Sequence, residues 1–282
     1  MTLPAPSAAP MPVNWRRRWL RRVLVTLVLA YAGFLIIAPL AALVAGALAE
    51  GLGPVLATFQ NQQVQRAFLL TLQISLLVVV VQAVFGTAVA WMLVRDDFRG
   101  KKFINGLIDL PFAVSPVVVG YMLLLLFGRQ GLLAPLLEAL DIRVAFAVPG
   151  MALATLFVTL PFMIRELTPI LQAFGVQQEQ AAATLGASGW TTFRRITLPA
   201  LRWGFIYGIT LTLARALGEF GAVLVIGGGI QGRTETATLY IYRALDERQY
   251  VAAYSAALAL GLFSLLLVLG TELLRRREES RQ

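Results

Sequence analysis

Residues 67 to 94 read AFLLTLQISLLVVVVQAVFGTAVAWMLV, an apolar stretch that contains no charged side chain. The hydrocarbon core of a bilayer is about 30 Å thick, and a helix needs about 20 residues to cross it. In that solvent every backbone amide must find its partner within the protein, which favours a helix over an open strand. The stretch therefore predicts a membrane-spanning helix.

Five further stretches have the same apolar character, and none shows the period-two alternation that is typical of a membrane barrel strand. We therefore expect an all-α protein, a polytopic bundle of about six transmembrane helices that occupies residues 23–274. The predicted spans are Val23 to Leu48, Ala67 to Val94, Ile104 to Phe127, Phe146 to Ile164, Trp203 to Gly228 and Val251 to Leu274.

The composition excludes several kinds of chemistry. Hydrophobic residues make up 58% of the chain and charged residues 14%, whereas a soluble domain has about half and about a quarter. Cysteine and histidine are absent from the sequence, which excludes disulfides, thiol or imidazole catalysis and metal sites built from those residues. The net charge of +9 does not indicate nucleic-acid binding, because the basic residues cluster at the ends of the apolar stretches.

The basic residues predict the orientation of the spans. Seventeen of the 24 fall on one side of the predicted bundle and six on the other, with Arg215 inside a span. Positively charged loops stay in the cytoplasm, so we expect a multi-pass cell inner membrane protein with both termini inside. Residues 1–22 then form a disordered cytoplasmic tail and a basic anchor, and residues 275–282 form a basic tail. The longest cytoplasmic connection is 165–202.

That connection contains EQAAATLGASGW at positions 179–190, which predicts a helix, a glycine turn and a second helix. Ser188 or Gly189 is a candidate cap for the restart. Pro199 lacks an amide donor and disfavours helical geometry in the residue before it, which predicts a break at that point. The small and aromatic residues suit docking of a partner. Packing of the segment against its own bundle is the alternative.

The segment resembles the EAA motif of ATP-binding-cassette (ABC) importer permeases: Glu-Ala-Ala, three residues, Gly, nine residues, Ile-x-Leu-Pro. Gln180 stands where that family usually has Glu, and Glu179 supplies a displaced carboxylate. The resemblance extends over roughly residues 67–257 and implies a type I importer permease with a MetI-like fold. The residues that it assigns to ATPase coupling are Glu179, Gln180, Ala181, Ala182, Gly186, Ile196, Leu198 and Pro199.

A second motif, RALGEFG at 215–221, places Arg215 and Glu219 four residues apart on one helix face. Charges within a bilayer usually face a bundle interior, a partner or a water-filled path. The motif resembles a signature of permeases for sulfate, thiosulfate, molybdate and tungstate. DLPFAVSP at 109–116 looks like the sulfate branch, with Ser115 where the molybdate branch tends to have a second proline, and YVAAYS at 250–255 resembles the sulfate and thiosulfate permeases of the CysW type. We assign Arg215, Glu219 and Ser115 to a translocation path, the alternative for the charged pair being neutralisation between two permease subunits.

The resemblance implies partners that do the chemistry. These are a cytoplasmic ABC ATPase dimer, a second homologous permease, an extracytoplasmic sulfate-binding protein and membrane lipid. The chain itself is expected to be no enzyme and to hold no cofactor or metal, with ATP bound by the ATPase. Its nearest approach to a phosphate-binding loop, Gly100-Lys101, has Arg95 and Lys102 where the motif requires Gly and Ser or Thr.

Three other functions remain as alternatives. A molybdate or tungstate ABC permease would share the same motifs. A stand-alone secondary transporter would be expected to show inverted repeats, and none is visible in the sequence. A membrane enzyme would depend on carboxylates such as Asp96 and Asp97, which lie in a basic turn and are more typical of a solvated loop.

Overall fold

The computed structural model describes residues 15–279, with side chains described for residues 19–276. The predicted disordered start, Met1 to Asn14, and residues 280–282 of the predicted basic tail lie outside the described part. The all-α prediction is confirmed, since residues 15–279 contain helices, turns and loops but no strand. The helices are α1 (Trp15–Ala47), α2 (Leu52–Gln60), α3 (Gln62–Arg95), α4 (Lys101–Ile108), α5 (Leu110–Ala113), α6 (Pro116–Phe127), α7 (Ala134–Ala139), α8 (Val148–Phe174), α9 (Gln177–Thr184), α10 (Gly189–Thr192), the π-helix π1 (Phe193–Thr197), α11 (Leu198–Leu217), α12 (Gly221–Gly227), α13 (Ala237–Asp246) and α14 (Tyr250–Glu279).

Five helical stretches within residues 15–279 are long and apolar enough to cross a membrane. Each overlaps one of the predicted spans, as expected of a multi-pass membrane protein. They are Trp19–Ala47, Gln62–Arg95, Val148–Phe174, Gly189–Leu217 and Tyr250–Arg276.

The remaining predicted span, Ile104 to Phe127, differs from the single helix that its hydropathy predicts. It consists of α4, α5 and α6, and α6 has only 12 residues. Val114 and Ser115 are extended between α5 and α6, because Pro116 has no amide donor and disfavours helical geometry in Ser115. The predicted span Trp203 to Gly228 is also divided, since α11 ends at Leu217 and α12 begins at Gly221.

The core is a packed arrangement of α3, α8 and α11. Two apolar clusters lie along these helices, one around Leu93, Ile164 and Leu201 and the other around Val78 and Met151. The helices approach closely at glycines: a Cβ on Gly86 or Gly208 would lie within 3 Å of Met163. Small residues at such crossings are typical of membrane bundles.

Between the two clusters lies a polar layer. The Gln82 side chain is 2% exposed, and its Nε2 donates to the Leu156 carbonyl oxygen at 2.8 Å. Thr159 and Thr212 are also buried there, on α8 and α11.

Helix α1 is held chiefly by α14, where Gly46 faces the ring of Tyr254. Large side chains along α1, such as Leu29, Phe34 and Ile37, are more than half exposed. An apolar surface of this extent requires lipid or another membrane protein beside it.

Candidate functional site

The connection between α8 and α11 begins with α9, which ends in a glycine turn as the sequence predicts. Gly186 has a φ of +81°. The Ala187 amide donates to the Ala182 carbonyl and the Gly186 amide to the Ala183 carbonyl, both at 3.0 Å. This bond pair is the Schellman arrangement, in which glycine supplies the left-handed residue. The turn ends α9 and provides donors for two of its last carbonyls.

The second helix begins at the predicted cap. The Thr191 amide donates to Ser188 Oγ at 3.3 Å, and Ser188 is extended. Helix α10 follows directly. The predicted helix, turn and helix are therefore present.

The predicted break at Pro199 is wrong. Thr197 and Leu198 both have right-handed helical backbone angles, and α10, π1 and α11 form one continuous helical stretch from Gly189 to Leu217. The Leu198 amide donates to the Phe193 carbonyl, a bond with π-helical spacing. An extra residue in the turn before a proline lets the backbone re-pair without a clash between the proline ring and a carbonyl.

Glu179, like Ala182, does not face outward with the other residues of α9. Its carboxylate forms two contacts with the Arg95 guanidinium, Nε to Oε2 at 2.9 Å and Nη2 to Oε1 at 3.0 Å. Thr197 Oγ1 also donates to Oε1 at 2.9 Å. Arg95 further donates to the carbonyl oxygens of Leu171 and Gly175 at the end of α8. One side chain at the end of α3 thus joins α8, α9 and π1.

The outward face of this helix pair carries glutamines on α9 and two large apolar side chains, Leu185 and Trp190. Leu185 is 88% exposed and Trp190 is 70% exposed. The Trp190 ring stacks on Phe193, which in turn packs edge-on against Trp91 of α3. We call Leu185, Gly186 and Trp190 with their exposed neighbours on α9 and α10 the coupling surface. Its aromatic stack connects an exposed ring to the bundle core.

The structure distributes the predicted coupling residues between that face and its support. Gln180, Ala181, Gly186 and Pro199 are exposed, Ala182 is buried, and Glu179, Ile196 and Leu198 are partly buried.

A second polar connection lies on the same side of the bundle. Arg165 of α8 contacts both carboxylate oxygens of Asp109, with Nε 2.7 Å from Oδ1. It also donates to the side chain and the carbonyl oxygen of Asn105. These bonds attach the junction of α4 and α5 to α8.

Arg215 and Glu219 form the ion pair that their spacing predicts, with Nη1 2.8 Å from Oε2. The Glu219 side chain is 2% exposed and that of Arg215 is 30% exposed. The other carboxylate oxygen accepts the Ala222 amide at 3.0 Å, in the first turn of α12. Glu219 therefore holds Arg215 at the interruption between α11 and α12.

The two interrupted helices meet each other. A Cβ on Gly221 would lie 3.1 to 3.3 Å from atoms of Pro116 and Val117, and one on Gly120 would collide with Val225. The start of α6 therefore packs against the start of α12. Ser115, which precedes α6, is exposed at this junction, so the fold brings all three predicted path residues to the same region of the bundle.

Other polar residues of the spans have separate surroundings. Thr210 Oγ1 donates to the Ile206 carbonyl and pairs with Thr271 of α14. Thr212 Oγ1 is buried without a hydrogen-bond partner among the described residues. Gln73 lines a cavity together with Arg66 and Arg233.

Sequence reasoning missed Arg95 and Thr197 as supports of the loop. The sequence places Arg95 only among the basic residues that flank the apolar stretches and in the comparison with a phosphate-binding loop, and its position at the end of α3 is the available signal. Nothing local connects it to Glu179, which is 84 positions away.

Comparisons with known proteins agree with this architecture. The family model described as "Binding-protein-dependent transport system inner membrane component" matches residues 82–280. "Sulfate transport system permease protein CysW" of Synechococcus elongatus is 46% identical over 90% of this chain and 89% of its own. The Escherichia coli protein of that name is 39% identical over 96% and 92%.

A solved structure also shares the fold. It is a bacterial alginate ABC transporter in complex with an alginate pentasaccharide-bound periplasmic protein. One of its chains superposes with a TM-score of 0.76 and 21% identity, covering 93% of this chain and 96% of that one.

Proposed function

The chain belongs to the family of binding-protein-dependent transport system inner membrane components, and we propose that it is the permease subunit through which an ABC importer carries sulfate or thiosulfate into the cell. The observation that carries this proposal is the coupling surface: an exposed helix pair that presents Leu185 and Trp190, turns at Gly186 and is attached to the bundle through Arg95 and Glu179. A surface so exposed and so firmly supported suits transmission of a partner's movement.

The motor in this proposal is a separate ATPase dimer. Trp190 and Leu185 bind in its groove, where a buried aromatic ring supplies much of the binding energy. When the ATPases close, they move α9. The Arg95–Glu179 pair transmits this movement to α3 and α8, and π1 transmits it to α11. The bundle then tilts as a rigid body, which exposes the path alternately to each side. The coupling surface and both termini lie in the cytoplasm.

The substrate assignment rests on two supports. Relatives at 46% and 39% identity over most of this chain are named sulfate transport permeases. Arg215 at the interruption between α11 and α12 supplies a cation that can attract a tetrahedral dianion. Glu219 keeps Arg215 paired, so that an anion competes with the carboxylate instead of binding tightly. Weak, exchangeable binding suits a path that must release its substrate.

The other proposed partners complete the transporter. The exposed face of α1 packs against a second, homologous permease and lipid, and the path lies between the two subunits. An extracytoplasmic sulfate-binding protein delivers the anion. Specificity then resides mainly in that protein, which is why few polar side chains in this chain need to recognise the substrate.

Uptake by the complete transporter tests the proposal. The four components are expressed together in cells that lack their own sulfate uptake, and labelled sulfate is measured with thiosulfate or molybdate as competitor. We expect thiosulfate to compete and molybdate to compete poorly. Preferential uptake of molybdate would instead favour the molybdate or tungstate alternative, and uptake without the ATPase would favour a secondary transporter.

A further inference from the structure

A cavity of about 200 Å³ lies on the side of the bundle opposite the coupling surface. It is formed by the first turns of α3 and by the segment that connects α12 to α13. Arg66, Gln73, Arg233 and Glu235 are its polar residues, and Leu69 and Leu70 are among its apolar ones. By the charge distribution of the sequence, this is the extracytoplasmic side.

The charges of this cavity do not balance. Within the described residues, neither the Arg66 nor the Arg233 guanidinium has a hydrogen-bond or ion-pair partner, and both residues are exposed. Glu235 does not neutralise them, because its 2% exposed carboxylate pairs with Arg243 at 2.6 Å. The hydrogen bond to Glu235 raises the pKa of Arg243 above its usual value, as expected when the carboxylate is committed to that partner. Two guanidinium groups are thus left to attract an anion.

The site is positioned by a well-defined turn. Gly232 has a φ of +71°, and a Cβ there would lie 3.9 Å from Arg66 Nη1, so the guanidinium lies beside the turn. Thr234 holds the turn from within: its Oγ1 donates to the Gly227 carbonyl at 2.7 Å and accepts the Ile230 amide at 3.0 Å. Arg233 therefore extends from an ordered backbone.

The same segment leads towards Arg215. Thr238 Oγ1 donates to the Glu219 carbonyl at 2.7 Å, and the Ala237 amide donates to Thr71 Oγ1 at 2.8 Å. Leu70, which lines the cavity, packs against the apolar cluster that also contacts Phe220. The cavity is therefore joined by direct contacts to the interruption that holds the Arg215–Glu219 pair.

A neighbouring cavity of about 500 Å³ provides a contrast. Arg233 also lines it, together with Arg129 and Arg143, but Glu138 and Asp141 are there as well. Its charges are more evenly balanced than those of the smaller cavity. The smaller cavity is consequently the better anion site of the two.

We propose that Arg66, Arg233 and Gln73 form a receiving site for the tetrahedral oxyanion at the outer mouth of the path, before the anion reaches Arg215. Guanidinium groups present paired donors that match two oxygens of such an anion, and the Gln73 amide adds a further donor. The inference rests on the proposed function, because it takes the transported substrate to be that anion. A carboxylate of the binding protein is a different occupant, which the experiment below distinguishes.

The test uses the complete transporter in proteoliposomes loaded with ATP and supplied with sulfate-loaded binding protein. We expect Arg66→Gln and Arg233→Gln each to lower the initial rate of uptake at low ionic strength, by about 10-fold for the double variant. The difference in initial uptake rate between the variants and the wild type should become smaller at about 0.15 M salt, where charges are screened beyond about 8 Å. Arg248→Gln is the matched control, since Arg248 is an exposed arginine of the same predicted side that does not line either cavity.

A second measurement does not depend on transport or on the variants. Wild-type transporter without the binding protein is treated with an arginine-specific dicarbonyl reagent, and modified positions are identified by mass spectrometry. We expect sulfate to protect Arg66 and Arg233, and chloride at equal ionic strength to give no protection. Arg248 should react equally in both solutions.

The outcomes separate the two levels of inference. If the wild type takes up sulfate while the double variant matches it and sulfate protects neither arginine, the receiving site is refuted and the proposed function stands. If the variants reduce docking of the binding protein and sulfate gives no protection, a carboxylate occupies the cavity instead, and the receiving site is likewise refuted. If the wild type takes up neither sulfate nor thiosulfate, the proposed function itself fails.

Discussion

Arg95 and Glu179 form a two-contact ion pair in which only 10% and 13% of the two side chains are exposed. The pair joins the last residue of α3 to α9, which is otherwise a short helix with one buried residue. Removal of one partner from a fully buried pair costs about 3 to 5 kcal/mol, which is an upper bound for this partly buried pair. The position of the coupling surface therefore depends on this pair.

The first prediction concerns transmission through that pair. Arg95→Ala should detach α9 from α3, so that the transporter still hydrolyses ATP in the presence of loaded binding protein but takes up less than about a tenth as much anion per ATP as the wild type. Uptake and phosphate release in proteoliposomes measure this ratio. Arg99→Ala, in the adjacent exposed turn, is the control and should leave the ratio unchanged. A wild-type ratio of anion uptake to ATP hydrolysis in Arg95→Ala would show that the Arg95–Glu179 pair is not needed for coupling.

The second prediction concerns the turn at Gly186. A Cβ there would meet no atom within 4 Å of the chain, so any effect of substitution within this subunit comes from the positive φ and not from crowding. Gly186→Val should destabilise the turn by about 1 to 2 kcal/mol, because left-handed geometry is costly for residues with a Cβ. Co-purification of the ATPase measures the result.

Asparagine provides the matched comparison, since it tolerates left-handed geometry better than other residues. Gly186→Asn should retain more ATPase than Gly186→Val. Equal loss in both variants would mean that contact with the partner, not the backbone angle, requires glycine.

The third prediction concerns the exposed ring of the coupling surface. Trp190→Ala should weaken ATPase association by about 2 kcal/mol or more, the size expected for an aromatic residue at the centre of an interface. The dissociation constant of the ATPase from detergent-solubilised permease complex is the measurement. Trp19→Ala changes another largely exposed tryptophan, on α1, and should leave that constant unaltered. If Trp190→Ala and Trp19→Ala had the same dissociation constant for the ATPase, Trp190 would not be part of the interface.

The fourth prediction distinguishes two roles of Arg215, contact with the transported anion and a purely structural ion pair with Glu219. Arg215→Ala leaves the buried Glu219 carboxylate without its ion-pair partner, so both transport and thermal stability should fall. The double variant Arg215→Ala with Glu219→Gln removes both charges and should regain stability. If Arg215 contacts the anion, uptake stays low in the double variant while ATPase association is normal. Recovery of uptake together with stability would mean that the pair is only structural.

Hydropathy and charge predicted much of this fold because those signals are local. The 28 residues from Ala67 to Val94 lie within one helix, α3, which extends to Gln62 and Arg95. The glycine turn and Ser188 cap were also predictable, since each acts on residues within a few positions. The positions of helix interruptions were less predictable. An interruption does occur at Pro116, but the chain remains helical through Pro199 because π1 precedes it.

The sequence by itself determined that this chain is an all-α membrane protein with a helix, turn and helix in its longest basic connection, because solvent preference and capping are properties of neighbouring residues. Only the tertiary structure decided which charges are satisfied. Glu179 pairs with Arg95 and Glu235 with Arg243, which leaves Arg66 and Arg233 beside a cavity without partners among the described residues. The Arg95–Glu179 pair and the cavity beside Arg66 and Arg233 join segments that are far apart along the chain. A hydrogen bond needs its two heavy atoms within about 3.2 Å, and Coulomb attraction weakens with distance, so only the folded arrangement decides these contacts.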